Sequence, residues 1–393
     1  MKRRFFLKGA GVVTIMVAGG TVWRAWNQGI FNAGSGPAFE PWHNWASEAQ
    51  EGPLALVRAA ILASSPHNTQ PWLFKVSPAS IELYADTRRN LGAFDGYLRE
   101  MYIGLGCAIE NIAVAAPVHG YSAELTMVSG ALDLRADRPE KVLAGRVDLK
   151  PGERSEGPLY HAIPRRHTNR GPYDTARPIA AKDIDRLGEL GQLGDDMKVF
   201  LIHKDDERKK FGELLIFTTQ TIIADAQMVH DSQAWFRNGR PEIEARRDGV
   251  TLDTGGFPPL MTALAKIMPA ISAQKSHEYW LQITRDVHAV ASPLFGLIAV
   301  RDRYDKQQNL LAGGAWQRMH LWATTQNIAM QPVNQPLEQV DRERALGKSP
   351  RAAEALAGLT GDPSWQATFA FRAGYPIREA PASPRRDVKD VLL

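Results

Sequence analysis

Three short stretches of this 393-residue chain concentrate the side chains that do chemistry. In Ser65-Pro66-His67-Asn68-Thr69-Gln70-Pro71-Trp72, four hydrogen-bonding side chains lie between two prolines. Proline fixes φ and removes a donor, so such a segment is a stiff loop that presents its polar groups outward. A tight helix-to-strand connection uses the same residue types, and ligand loops also sit on rigid connections. The second stretch, Arg165-Arg166-His167-Thr168-Asn169-Arg170, places three guanidiniums and a hydroxyl within six residues. That set can grip a phosphate bidentately, or form a solvated basic turn. The third, Ser383-Pro384-Arg385-Arg386, reads by itself as a basic tail.

What the chain lacks narrows the chemistry. It has no C-x-x-C or H-E-x-x-H pattern, its ten histidines are scattered, and Cys107 is its only cysteine. No metal site is expected, and no intrachain disulfide can form. Gly104-x-Gly106 lacks the third glycine of a dinucleotide fingerprint, and there is no P-loop. Ser65 and Ser383 lack a nucleophile-elbow context. The remaining reading is a bound organic cofactor with an anionic tail, and flavin mononucleotide (FMN) suits it: arginines for the phosphate, polar loop groups for the ring.

The elements that must position these residues follow from periodicity. Pro53, Leu54, Val57, Ala60, Ile61 and Ser64 predict a helix over 53–64 leading into the first loop. Strands are expected at 72–76 and 81–86 as a hairpin, and at 124–128 and 143–149, the last with Leu143, Val147 and Leu149 on one face. Residues 101–116 are almost wholly apolar or small, which predicts a buried helix packed closely through Gly104, Gly106 and Ala108. Glycine–proline pairs between about 150 and 180 mark a boundary between two halves. Beyond it the pattern predicts a helix at 181–190, a strand at 198–203 and one long amphipathic helix over 206–236. Residues 237–276, with an apolar helix at 260–272, show little regular pattern and suggest a lid or a surface excursion. A helix near 277–290, a strand at 294–301, a second buried helix at 313–330 and a strand at 367–372 complete the chain.

The two buried helices align without a gap, Gly106–Ala116 upon Gly313–Ala323, with Glu110-Asn111 falling opposite Gln317-Arg318. This points to a duplicated chain, each half supplying one central helix and one sheet.

The N-terminus is a separate case. Lys2, Arg3, Arg4 and Lys8 precede an uncharged run from Gly9 to Trp23, too short for a typical spanning helix and suited to a signal region. Arg3-Arg4-Phe5-Phe6-Leu7-Lys8 resembles the twin-arginine export motif. That resemblance implies export of a folded protein, periplasmic or extracytoplasmic, through the twin-arginine machinery. With no convincing cleavage site, membrane attachment through residues 1–26 is the alternative. Five of the 47 basic residues and none of the 43 acidic ones fall within residues 1–39, so the remainder carries one net negative charge. No nucleic-acid role is expected.

The motifs carry a family resemblance. Leu62–Trp72 resembles the A-P-S-x-x-N-x-Q-P-W loop of the FMN-dependent nitroreductase superfamily, and Arg166-His167-Thr168-Asn169-Arg170 is similar to its R-x-S-x-R/K motif. Ser383–Arg386 corresponds to its basic C-terminal end. The helix at 313–330 followed by Gln331-Pro332-Val333-Asn334 matches its G-x-A-x-x-N-L-x-L-A-A helix and proline-containing turn. Here the loop precedes the arginines by about 100 residues, an order that resembles the Acg-type single-chain subfamily. The resemblance implies an α+β, nitroreductase-like three-layer fold, duplicated so that one chain mimics the nitroreductase dimer. The expected parts are a leader and linker (1–38), a first half (39–155), and a second half (156–393) with a candidate lid at 237–276.

The resemblance further implies one FMN per chain, since neither half repeats the other's motif. Arg166, Thr168 and Arg170 would contact the phosphate, the ribityl chain or the N1–C2 edge, and Arg385 and Arg386 the phosphate. Ser65, Pro66, His67, Asn68 and Gln70 would lie at the ring, with Gln331, Pro332, Val333 and Asn334 towards N5. No side chain need act as general acid or base. The implied function is two-electron reduction of nitroaromatic or quinone-like small-molecule acceptors, by a monomer or weak homodimer. The alternative is a lid-closed protein that sequesters FMN, favoured if export removes the chain from cytoplasmic NAD(P)H.

Overall fold

The computed structural model describes residues 27–30, 33–45, 52–134, 137–268 and 271–393. The leader of residues 1–26 lies outside the described residues.

Helix α1 (Pro53–Ala60) opens on a proline, whose missing N–H is unneeded in a first turn. The first loop follows, then β1 (Trp72–Ser77), β2 (Ser80–Asp86), α2 (Arg99–Ala115), β3 (Tyr121–Met127) and β4 (Lys141–Pro151). The second half runs from β5 (Met197–Ile202) through α3 (Asp205–Ile223) and α4 (Ala226–Gln233) to β6 (Leu294–Val300). It continues with α5 (Lys306–Thr325), β7 (Ala329–Pro332), α6 (Gln335–Ala345) and β8 (Gln366–Gly374). The sheets have the orders β1-β2-β4-β3 and β5-β6-β8-β7, and every neighbouring pair in both is antiparallel. The fold is therefore α+β, with two halves of one topology: strand, strand, central helix, strand, strand, the last strand inserted beside the second.

The central helices meet at their glycines. A Cβ on Gly106 would land on the Leu310 carbonyl, and one on Gly313 would land on the Ile103 carbonyl. Around this crossing Met101, Ile103, Leu105, Ile109 and Ile112 are buried against Leu310, Ala315, Trp316 and Met319. Each large apolar side chain contributes about 1.5–3 kcal/mol by leaving water. The polar pairs that align in sequence bond one another across the crossing. Glu110 accepts from Arg318 Nε and Nη2 (2.7 and 3.0 Å), and Gln317 Nε2 donates to Asn111 Oδ1 (2.8 Å).

Several elements depart from the periodicity reading. The helix expected over 206–236 breaks at Asp225, whose carboxylate caps α4 by accepting from the Gln227 and Met228 N–H groups and pairs with Arg342. In β4 a register shift opposite Leu83 and Tyr84 turns Ala144 into the core and leaves Leu143 exposed, so the expected face is interrupted. The helix expected at 313–330 is α5, which starts at Lys306 because Asp305 caps it and stops at Thr325. Its apolar continuation is β7 instead, paired with β8.

Candidate functional site

The first loop is locally strained. His67, Asn68 and Gln70 have φ of 44°, 55° and 51°, a left-handed region that costs non-glycine residues on the order of 1–3 kcal/mol each. The surroundings impose it. Ser65 Oγ accepts from the Gln70 N–H (3.1 Å) and closes the turn, while Asn68 Nδ2 donates to the carbonyls of Gly249 (3.1 Å) and Pro384 (2.9 Å). Gln70 Nε2 donates to the Arg247 carbonyl (2.8 Å), and its Oε1 accepts from the Arg386 N–H (2.8 Å). Pro66 lies against Gly104 of α2, which has no Cβ to collide with it.

The loop forms one wall of a cavity of about 40 Å³. Ser65 and Asn68 come from the first half, Arg166, His167, Thr168 and Arg170 from the stretch after the Pro158–Ala162 helix, and Ser383 and Arg385 from the tail. The tail gets there by crossing back to the first half, where Phe74 N–H donates to the Val391 carbonyl (2.8 Å). Gly249, Val250 and Thr254 close the remaining side.

Electrostatics distinguish this cavity. Arg166 and Arg385 are each 2% exposed, and among the described residues neither they nor Arg170 pairs with a carboxylate. Arg166 donates to the Leu62 carbonyl (3.0 Å) and approaches His320 Nδ1 (3.4 Å), leaving Nε without a partner. Arg385 bonds Asn68 Oδ1 and the Ala63 carbonyl (3.1 Å), lies over the Trp42 ring and also leaves Nε unpaired. Arg170 Nη1 donates to the Thr254 carbonyl (3.0 Å). Burial pushes Arg166 and Arg170 down to about 10 and Arg385 well below its usual range. A guanidinium keeps its proton in proteins, so these shifts express the cost of burying cations without a counter-charge. Burial and the Arg166 charge likewise lower His167 to about 3, and its Nδ1 has no partner.

The remaining sequence-derived residues fall outside the cavity lining. His67 is held by Ser232 Oγ (2.9 Å) between Phe94 and Phe236, and burial followed by Arg170 lowers it to about 4. Gln70 and Arg386 clasp the loop, with Arg386 Nη1 donating to the Gln70 carbonyl (3.1 Å). Gln331 and Pro332 lie in β7 paired with β8, Val333 packs in the second core, and Asn334 Oδ1 accepts from the Ala370 N–H (2.8 Å).

Arg372 was not anticipated. Fully buried in β8, it stacks on the Tyr173 ring and donates to Gln331 Oε1 (2.6 Å) and the Gly171 carbonyl (2.6 Å), fixing the stretch that carries Arg170. A lone arginine in the apolar run Phe369–Ala373 was the available signal. Asp248 was also missed. It is 3% exposed and bridges Arg89 of the first half to Arg237 Nε (2.8 Å), fastening the segment that contributes Gly249.

No protein-family model matches this chain. It is 25% identical over 367 residues to two Mycobacterium tuberculosis proteins, from strains H37Rv and CDC 1551, provisionally named NAD(P)H nitroreductases. Each match covers 91% of this chain and 95% of the relative. Among solved structures, the FMN-dependent nitroreductase NfnB of Mycobacterium smegmatis in complex with NADPH is 14% identical and overlaps with a TM-score of 0.39. That match covers 59% of this chain and 97% of NfnB. A Desulfovibrio desulfuricans protein provisionally named a nitroreductase, in complex with FMN, is 16% identical with a TM-score of 0.33, over 61% of this chain and 97% of its own.

Proposed function

We propose that this chain is a nitroreductase-type flavoprotein holding one FMN in the cavity between its halves. The observation that carries the reading is the convergence of Arg166, Arg170 and Arg385 on one cavity, with no carboxylate of the described residues beside them. Each lacks the counter-charge that burial demands, and an anionic phosphate supplies it. The buried Nε atoms of Arg166 and Arg385 also have no hydrogen-bond partner among the described residues. Similarity to nitroreductase-named relatives across nearly the whole chain supports the same reading.

Bound there, the flavin would supply two-electron hydride chemistry. The chain's own residues bind, orient and enclose. Arg166, Arg385 and Arg170 take the anionic end, Thr168 and Ser65 offer hydroxyls, and Asn68 anchors the loop. At about 40 Å³ the cavity is well below the roughly 300–1,000 Å³ of small-molecule sites. The contacts from Arg247, Gly249 and Thr254 to Gln70, Asn68 and Arg170 must therefore loosen for a ring to enter. That closure favours a second reading, a lid-covered protein that retains FMN and turns over slowly. Small nitroaromatic or quinone-like acceptors are the substrates of the first reading. Export through the twin-arginine route belongs to both.

The absorbance spectrum of the purified protein, followed by anaerobic NADPH, tests this. A bound-flavin band that bleaches supports the oxidoreductase, and one that persists supports sequestration. No band and no uptake of added FMN sinks both. Arg166→Ala and Asn68→Ala should each weaken FMN retention.

A further inference from the structure

The tail that carries Arg385 is held by a strap near the start of the described chain. Gly36 opens it with a φ of 106°, and the Glu244 carboxylate stands where a Cβ would project, so the turn calls for glycine. Ala38 then joins two distant segments. Its N–H donates to Glu244 Oε2 (3.0 Å), and its carbonyl accepts from the Arg385 N–H (2.7 Å). Ala38 and Phe39 are buried against Ile243 and Ala382. The short helix Glu40–His43 follows and presents Trp42, which is 5% exposed. Its indole Nε1 donates to the Ser383 carbonyl (2.7 Å). Its face lies against the Arg385 guanidinium, with Cζ 4.6 Å from the ring centroid, and the His167 ring packs on it edge-on at 4.7 Å.

His167, Ser383 and Arg385 line the cavity, and Trp42 stands directly behind all three. That position gives the indole a specific task. Arg385 is a buried cation with no carboxylate partner among the described residues, and an aromatic face attracts a cation through the ring quadrupole. The bonds from Arg385 to Asn68 Oδ1, Ser383 Oγ (2.8 Å) and the Ala63 carbonyl (3.1 Å) hold the edge of the guanidinium, while Trp42 holds its face. An aliphatic side chain of similar bulk would bury the same charge without attracting it. The guanidinium would then be less stabilised and less firmly aimed, and an anionic group in the cavity would meet a weaker partner.

We propose that Trp42 is a positioning residue for the flavin phosphate, acting through Arg385 and setting the phosphate-dependent part of FMN affinity. The inference rests on the FMN reading above. The test titrates the full-length chain in parallel with FMN and with riboflavin, which has the same ring and ribityl chain and no phosphate. Trp42→Leu keeps apolar bulk but removes the aromatic face and the Nε1–H. It should weaken FMN binding roughly tenfold and leave riboflavin binding unchanged. Trp42→Phe restores a face against the guanidinium and should recover most of the FMN affinity. In an Arg385→Met background, Trp42→Leu should change FMN affinity by less than about twofold. Trp45→Leu, on a neighbour whose ring packs on Tyr160 at 4.7 Å, is the control and should alter neither titration. Equal losses of FMN and riboflavin in Trp42→Leu would make the indole merely structural and overturn the proposal. Unchanged FMN affinity, or an undiminished loss in the Arg385→Met background, would overturn it too. An unsubstituted chain that takes up neither flavin would instead refute the FMN reading itself.

Discussion

Replacing Arg166 with methionine separates a binding arginine from a structural one. Its side chain is 2% exposed, and burial pushes its pKa down to about 10, a penalty of roughly 3 kcal/mol on the charged form. It returns two contacts to the fold, the Leu62 carbonyl at 3.0 Å and His320 Nδ1 at 3.4 Å. Leaving that carbonyl unsatisfied costs about 1–2 kcal/mol. Methionine fills a similar shape without a charge, so the flavin-free Arg166→Met protein should be about 1–2 kcal/mol more stable than the unsubstituted one. FMN binding should move the other way. Losing one charge-assisted contact to the phosphate, about 1.5–3 kcal/mol, weakens it roughly 10- to 150-fold. Thermal melts of the flavin-stripped proteins and a fluorescence titration with FMN measure the two quantities. Arg165→Met, on an exposed neighbour that donates to the His161 carbonyl at 3.2 Å, is the control and should change neither. A flavin-free Arg166→Met protein destabilised by about 1 kcal/mol or more, with unchanged FMN affinity, would refute the reasoning.

Three further outcomes follow from the geometry. Asp248→Asn removes the charge that joins Arg89 to Arg237; FMN association and dissociation in stopped flow should both quicken, and amide exchange should rise over 247–254. Gly106→Ala forces a methyl onto the Leu310 carbonyl and should destabilise by about 3 kcal/mol or prevent folding, whereas Gly358→Ala, in a helix with open space around it, should stabilise by about 0.5–1 kcal/mol in chemical denaturation. His67 and His167 are held neutral by burial, with folded pKa values of about 4 and about 3. Their contribution is present above the unfolded value near 6.5 and is lost as pH falls from there towards 4 and then 3. Glu100, pushed up to about 7 by burial, acts in the opposite sense and loses its contribution as pH rises through 7. Melting temperature against pH should thus fall on the acid side, and less steeply in His67→Asn.

The central elements were legible because their patterns are local. Small residues at Gly104, Gly106 and Ala108 announce a helix that another must approach, and Gly313 repeats the device. The arginines of 165–170 stood out by charge density alone, which left an anion grip and a solvated basic turn as alternatives; the structure brings Arg166 and Arg170 to the cavity and leaves Arg165 exposed. The contributions of Gly249, Val250 and Thr254 were not legible. They reach the cavity through backbone groups, which carry no side-chain signature, and they come from the segment of weakest periodicity. Arg386 and Gln70 show the converse: side chains that announce chemistry are spent on clasping each other and the tail to the loop. Asp225 looked like one more polar position in an amphipathic helix. Only the Arg342 side chain, 117 residues on, explains why it caps a new helix there.

The two halves spend their length in different places. In the first half, α1 reaches β1 through residues 61–71, long enough to form the strained loop and to meet the tail. The corresponding passage of the second half, from the Ala181–Gly191 helix to β5, has only residues 192–196, without the prolines or the asparagine. The reverse holds between the first two strands of each sheet. The first half turns between Ser77 and Ser80, while the second inserts everything from 203 to 293. That insertion sends Gly249 and Thr254 across to the first half's loop and the second half's arginines. One half has spent its length on the loop and the other on the cover, so this cavity needs both.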